Sequence, residues 1–357
     1  MFDLPTITLV IIALALVFDF INGFHDASNS IATIVATRVL KHWQAVIWAA
    51  FFNFIAFFFI SSGVAKTVGA GLMDLQFVTS HTIMAALVGG IIWNLWTWWK
   101  GIPASSSHTL IGAYAGAVCA HIVFGTDASM VDAFFANAWL KVLAFIFIAP
   151  LVGYCLAFTM MSVANTLEKR WENQFSARFF RGSQLVSSAL LSFMHGGNDA
   201  QKTAGIIAVA LAVGATAAGP DMPAVGSGEF HVPDWGLFAA YLCISLGTLM
   251  GGWRITKTLG FQLTQLKSKH GFSAETGAAL SIGLATFMHI PISTTLTTTG
   301  AIVGVGSARG HTKKVSPDDT TVNWRLFKRI ASIWLFTLPA AFALGATAQV
   351  IGYLFIG

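Results

Sequence analysis

Two short polar islands interrupt long apolar runs and carry the residues best suited to chemistry: Gly23-Phe24-His25-Asp26-Ala27-Ser28-Asn29-Ser30 and Gly196-Gly197-Asn198-Asp199-Ala200-Gln201-Lys202-Thr203. A carboxylate in an apolar setting must bind a cation, pair with a base or carry a proton, and at membrane depth such groups mark substrate or ion paths. Asp26 and Asp199 are therefore candidate coupling groups, with simple capping of a half-helix as the structural alternative. Asn22 and Asn29, with backbone carbonyls, would complete an oxygen shell for a hard cation such as Na⁺ beside Asp26. Asn198 adjoins the second acid, and Lys202 stands where the first island has Asn29. Its ammonium would replace a bound cation beside Asp199 or reach an anion directly, which argues against two equivalent Na⁺ sites and favours a proton.

A second duplicated motif supplies hydrogen-bond donors. Ile102-Pro103-x-Ser105-Ser106-Ser107-x-Thr109-x-x-Gly112-Ala113-x-x-Gly116 matches Ile290-Pro291-x-Ser293-Thr294-Thr295-x-Thr297-x-x-Gly300-Ala301-x-x-Gly304 at an offset of 188 residues, while the aspartates repeat at 173. A longer loop at 219–234 accounts for the difference, so the chain is an internal duplication. Hydroxyls and free N–H groups opening a helix form an oxyanion site. Two such sets, Ser105, Ser106 and Ser107 with Ser293, Thr294 and Thr295, would surround a tetrahedral anion; N-capping and interhelical hydrogen bonding are the competing roles. His25, His108, His195 and His289 lie near these stretches as proton relays or packing groups. Their spacing is not that of a zinc helix, and no Gly-x-Ser-x-Gly context supports a hydrolase.

The elements that position these groups follow from composition. With 55% apolar and only 10% charged residues, 30 Phe and 12 Trp, the 357-residue chain reads as an all-α polytopic membrane protein. Spans are expected at 4–20 resuming at 31–40, and at 43–62, 82–99, 110–124 and 139–165. The plan repeats at 184–194, 206–218, 235–253, 278–290 and 330–355. The islands are expected to break their helices near mid-membrane, exposing backbone carbonyls. The whole then comprises two inverted-topology repeats with broken or re-entrant helices, about 10–12 membrane segments. Residues 1–167 form the first repeat, 168–182 a cytoplasmic amphipathic linker and 183–357 the second repeat. Placing the basic loops inside accommodates all of the 20 basic residues except Lys66, Lys141 and Lys202, and leaves both termini outside. The same loops explain the net charge of +5 without nucleic acid. Cys119, Cys155 and Cys243 read as packing residues, and residues 1–8 lack the features of a removable signal peptide.

At these motifs the sequence resembles the inorganic phosphate transporter (PiT) family over essentially its whole length. The islands are similar to its duplicated Gly-x-Asn-Asp-x-x-Asn signature, and the Pro-x-Ser-[Ser/Thr]-[Ser/Thr] stretches to its paired phosphate-contacting loops. The resemblance implies cation or proton sites at Asp26, Asn29 and Asp199, phosphate contacts at Ser105–Ser107 and Ser293–Thr295, and a family acid at Glu275. His25 replaces a signature Asn, Lys202 the second Asn, Asn53 a Glu common in sodium-coupled members, and Leu296 a His after the Ser-Thr-Thr run. These departures resemble bacterial low-affinity, proton-coupled carriers. The expectation is a secondary transporter of the cell inner membrane that imports inorganic phosphate, alone or as a metal-phosphate complex, by cation symport. No cofactor is expected; the coupling ion is H⁺ or Na⁺. Membrane lipid is the other partner, and a homodimer is compatible with this reading. A sulfate permease is the close alternative; an anion channel or intramembrane enzyme is the alternative from other classes.

Overall fold

The structure is a computed structural model and describes residues 6–126, 128–134, 136–218, 230–309 and 322–356. Most of the loop expected at 219–234, residues 310–321 of the last basic loop and Asp127 lie outside that set. Twelve α-helices appear among the described residues. The first half contributes α1 (Thr6–Ala36), α2 (His42–Ile55), α3 (Gly63–Ala70), α4 (Ser80–Lys100), α5 (Ser106–Gly125) and α6 (Ala136–Glu168). The second contributes α7 (Asn173–Ala218), α8 (Asp234–Met250), α9 (Trp253–Lys257), α10 (Ser268–Phe287), α11 (Thr294–Arg309) and α12 (Trp324–Ile356). The segment 168–182 comprises the end of α6, a short turn and the first turns of α7. Much of the basic stretch between the spans expected at 235–253 and 278–290 is helical, formed by α9, its continuation Thr258–Gln262 and the start of α10.

The duplication is visible in the packing. α1 lies against α4 and α8 as α7 lies against α10 and α2, and the last helix of each half packs on the other half's motif helix, α6 on α11 and α12 on α5. The bends are paired too: 84° between the α2 segment and α3, and 63° between α8 and the α9 segment. Among the described residues four helices are individually long and apolar enough to cross a membrane, or up to six counting each bent pair as one span. Leu140, Phe147, Leu151, Phe336 and Leu354 are exposed, while Asp26, Asp199, Lys202 and Glu275 are buried. Apolar outside and charged inside is the arrangement a bilayer requires.

One expectation is corrected here. The islands do not break their helices: α1 is a single helix of 31 residues and α7 one of 46. Island side chains find partners on neighbouring helices, so the backbone keeps its own hydrogen bonds. Glycine permits the close approach this needs; a Cβ on Gly23 would lie 2.2 Å from the Ile244 carbonyl oxygen, and one on Gly196 2.6 Å from that of Asn53. The breaks lie at the Ile-Pro motifs. Both α4 and α10 end in a left-handed residue, Gly101 and His289 with φ of 65° and 59°. The next amide bonds back five residues, Ile102 to Thr97 and Ile290 to Ala285.

Candidate functional site

Extended residues after each break lead into a new helix, and the first hydroxyl of each triplet closes it. Ser105 Oγ accepts from the His108 amide (3.2 Å) and Ser293 Oγ from the Leu296 amide (3.3 Å), so these two are N-caps. The later hydroxyls of the second triplet face the acids. Thr294 Oγ1 donates to Asp199 Oδ2 at 3.0 Å, Thr295 Oγ1 lies 3.5 Å from Asp26 Oδ2, and Asn29 Nδ2 donates to both threonines at 3.3 and 2.9 Å. Lys202 Nζ donates to Ser107 Oγ (2.5 Å), Asp199 Oδ1 (2.5 Å) and the Ile292 carbonyl (2.7 Å), using all three protons. Buried Ser106 Oγ has no hydrogen-bond partner among the described residues. The two islands thus meet each other and the N-termini of α5 and α11, whose amides make that end electropositive.

Each acid also has a histidine, and the hydrogen bonds around the histidines determine their protons. Thr97 donates its hydroxyl to the carbonyls of Trp93 and Asn94, so it accepts from His25 Nε2 at 3.1 Å. Nδ1, 2.5 Å from Asp26 Oδ1, is then the imidazole's lone-pair side unless a further proton is present. Thr248 likewise donates to the Ile244 carbonyl and accepts from Asn53 Nδ2 (3.0 Å), which turns Asn53 Oδ1 toward His195 Nδ1 at 3.2 Å. His195 Nε2 therefore faces Asp199 Oδ2, 3.2 Å away, acceptor against acceptor. Ligand atoms of Asp26, His195 and Asp199 lie within 4.8 Å of one another. Converging acceptors of this kind suit a proton or a small cation.

Several expected residues stand elsewhere. Asn198, expected beside Asp199 at a cation, braces the second break, donating to Thr286 Oγ1 (2.9 Å) and the Ile290 carbonyl and accepting from the Ile292 amide. Glu275 sits in its own buried cluster with Thr33 (2.6 Å), Ser187 (2.5 Å) and Gln184 (2.9 Å). Asn22 Oδ1 has no hydrogen-bond partner among the described residues, and its side chain lies beside Asp19. Because α1 is unbroken, it offers no free backbone carbonyls to the shell expected from Asp26, Asn22 and Asn29, and the side chains that converge on Asp26 come from both islands. His289 is exposed at its turn, and His108 is buried without contact to either acid, so neither relays protons to them. Sequence reasoning missed Asp19, which belongs to the stripe Asp19, Asn22, Asp26, Asn29, Thr33 at helical spacing. It also missed the exchange of roles that appears when the islands are aligned: Asn22 falls opposite His195, and His25 opposite Asn198.

Comparison with known proteins gives the same assignment as the motifs. Residues 22–345 match the phosphate transporter family. A Rhizobium meliloti protein named "probable low-affinity inorganic phosphate transporter" is 46% identical over 336 residues, covering 94% of this chain and 93% of the relative. A Bacillus subtilis protein of the same name is 39% identical over 348 residues and 97% of both chains. A solved structure titled "The sodium-dependent phosphate transporter" superposes with a TM-score of 0.81 at 22% identity, over 99% of this chain and 100% of the other, and so shares the fold. These relatives are transporters, not enzymes. The chain is a multi-pass membrane protein that belongs to the phosphate transporter family.

Proposed function

We propose that the chain is a secondary carrier that imports inorganic phosphate across a bacterial-type cytoplasmic membrane together with a coupling cation, the proton before sodium. The observation that carries this reading is the meeting of Asp26 and Asp199 with the N-termini of α5 and α11 and with Lys202 in one buried cluster. Phosphate takes over donors that now join the islands to the motif helices: Lys202, Ser107, Thr294, Thr295 and Asn29, together with the unpartnered Ser106 hydroxyl. Charge-assisted bonds from Lys202 and the helix amides replace its hydration. The coupling cation sits between Asp26, Asp199 and His195. The proton is favoured because each carboxylate already has an imidazole whose facing nitrogen has room for one more proton, and Lys202 supplies a fixed charge where a second Na⁺ would bind. Basic loops placed inside set the second half opposite in sense to the first and leave both termini outside. On that inner side a cavity of about 430 Å³, lined by Lys100, Arg254, Lys257 and Arg329, abuts the Ile102–Pro103 turn and suits release of an anion.

Uptake of radiolabelled phosphate and sulfate into proteoliposomes, under separately imposed proton and sodium gradients, tests the proposal. Phosphate accumulation driven by the proton gradient is expected. Accumulation of sulfate in preference, or dependence on sodium with indifference to the proton gradient, would replace the substrate or the ion.

A further inference from the structure

Asp19 is a second buried acid on α1, two turns before Asp26, which is about 10 Å at 1.5 Å per residue. Its side chain is fully buried, yet its surroundings compensate it poorly. Oδ1 accepts from Thr203 Oγ1 at 2.9 Å, and Oδ2 has no hydrogen-bond partner among the described residues. Beside it Asn22, 3% exposed, also has an unpartnered Oδ1. Glu275 is a useful contrast, because three donors surround it.

The groups near Asp19 do not supply the missing charge. On α7, Lys202 is the nearby cation, and all three of its protons are already given to Ser107, Asp199 and Ile292; Asp199 is itself negative. On α8, Tyr241 and Cys243 are the neighbouring titratable groups, and neither carries positive charge. On α1 itself the next ionisable groups are His25 and Asp26, which hold one another. A carboxylate at this depth held only by neutral neighbours, the Thr203 hydroxyl and the Asn22 side chain, requires a cation or a proton, and the two unpartnered oxygens are the acceptors that would hold it.

We propose that Asp19, Asn22 and Thr203 form a second monovalent-cation site, for Na⁺ or a proton, loaded in the same cycle as the central site; this rests on the symport reading above. Cation occupancy at Asp19 joins the polar stripe of α1 into a file leading toward Asp26, so the inference also gives the coupling ion its route.

The site can be tested without transport. Thermal stability of the purified protein in detergent, free of phosphate, is measured against Na⁺ at fixed pH, with choline as the balancing cation, and against pH at fixed Na⁺. Bound cations stabilise the folded state by mass action, and the dependence on cation concentration reports how many are held. Asp19→Asn should reduce that number by one in the Na⁺ arm or in the pH arm, which identifies the ion, and Asp26→Asn should reduce it by one independently. Thr203→Val should keep the number and weaken the affinity roughly tenfold, the loss of one hydrogen bond, and it replaces Asp19→Asn should that variant not fold. An unchanged cation number in Asp19→Asn, or unchanged affinity in Thr203→Val, overturns the proposal. In proteoliposomes Asp19→Asn should retain phosphate exchange and accumulate less phosphate at a given gradient. Absence of phosphate transport by the parent would sink the symport reading, while the detergent measurements would still decide the site.

Discussion

Lys202→Asn exchanges the ammonium that joins α7 to the second break for the amide that the first island carries at Asn29. Three bonds are lost, to Ser107, Asp199 and the Ile292 carbonyl, and Asp199 is left buried with Thr294 and His195 as its neighbours. Removing one partner of a buried pair costs about 3–5 kcal/mol, because the remaining charge has nothing to balance it. A cation that binds in place of the ammonium returns part of this: at a hundred times its dissociation constant it contributes about 2.7 kcal/mol. The single variant should therefore be severely destabilised in choline and largely rescued by sodium. Lys202→Asn combined with Asp199→Asn, which removes both charges, should regain most of the loss and show little response to sodium. Thermal unfolding in detergent gives the stabilities, and proteoliposome uptake at matched protein abundance gives the function, with new sodium dependence expected in the single variant. A single variant as stable as the parent in choline would refute the reasoning, since Lys202 would then not be compensating Asp199.

Asp26→Asn and Asp199→Asn should each abolish uphill phosphate accumulation while sparing exchange, because the amide keeps the shape and removes the charge that the coupling ion neutralises; gradient-driven uptake at the parental rate tests each. Ser106→Ala and Thr294→Ala should raise the half-saturating phosphate concentration about tenfold to a hundredfold, from the loss of one bond to a charged group worth roughly 1.5–3 kcal/mol. Ser105→Ala should instead lower thermal stability by about 1 kcal/mol with little change in phosphate affinity, since its hydroxyl caps α5. His289→Gly should leave the pH profile of uptake unchanged and relieve about 1 kcal/mol of left-handed backbone strain, as Gly101 does at the equivalent turn.

The motifs conveyed the duplication, the membrane class and the residues that meet, because chain order is a one-dimensional property and the two matches share it. Proline and the hydroxyl triplets likewise marked the breaks at 101–105 and 289–293. What the linear pattern concealed was lateral. Polar residues within an apolar run suggested a broken helix when isolated from their surroundings, but Asn29 Nδ2 donates to α11 and Thr33 to Glu275 of α10, which are far away in sequence. The division of labour within each triplet, in which the first hydroxyl caps the helix and Ser107, Thr294 and Thr295 reach the islands, depends on where the helix starts to within one residue, which composition does not specify. Asp19 was obscured by the apolar residues around it, although its spacing from Asn22 and Asp26 places it on the same helical face.

The packing of α6 on α11 and of α12 on α5 has a consequence for how such a chain arose. The contacts are intimate: a Cβ on Gly116 would lie 1.9 Å from the Phe342 carbonyl oxygen, and one on Gly304 2.4 Å from that of Tyr154. Severed between α6 and α7, each half would keep its motif helix and surrender the helix that covers it. The protein therefore has the form of a domain-swapped dimer written on one chain. A half on its own would need a second copy to cover its motif helix, and joining the two on one chain lets them differ, Lys202 in one half standing where Asn29 stands in the other.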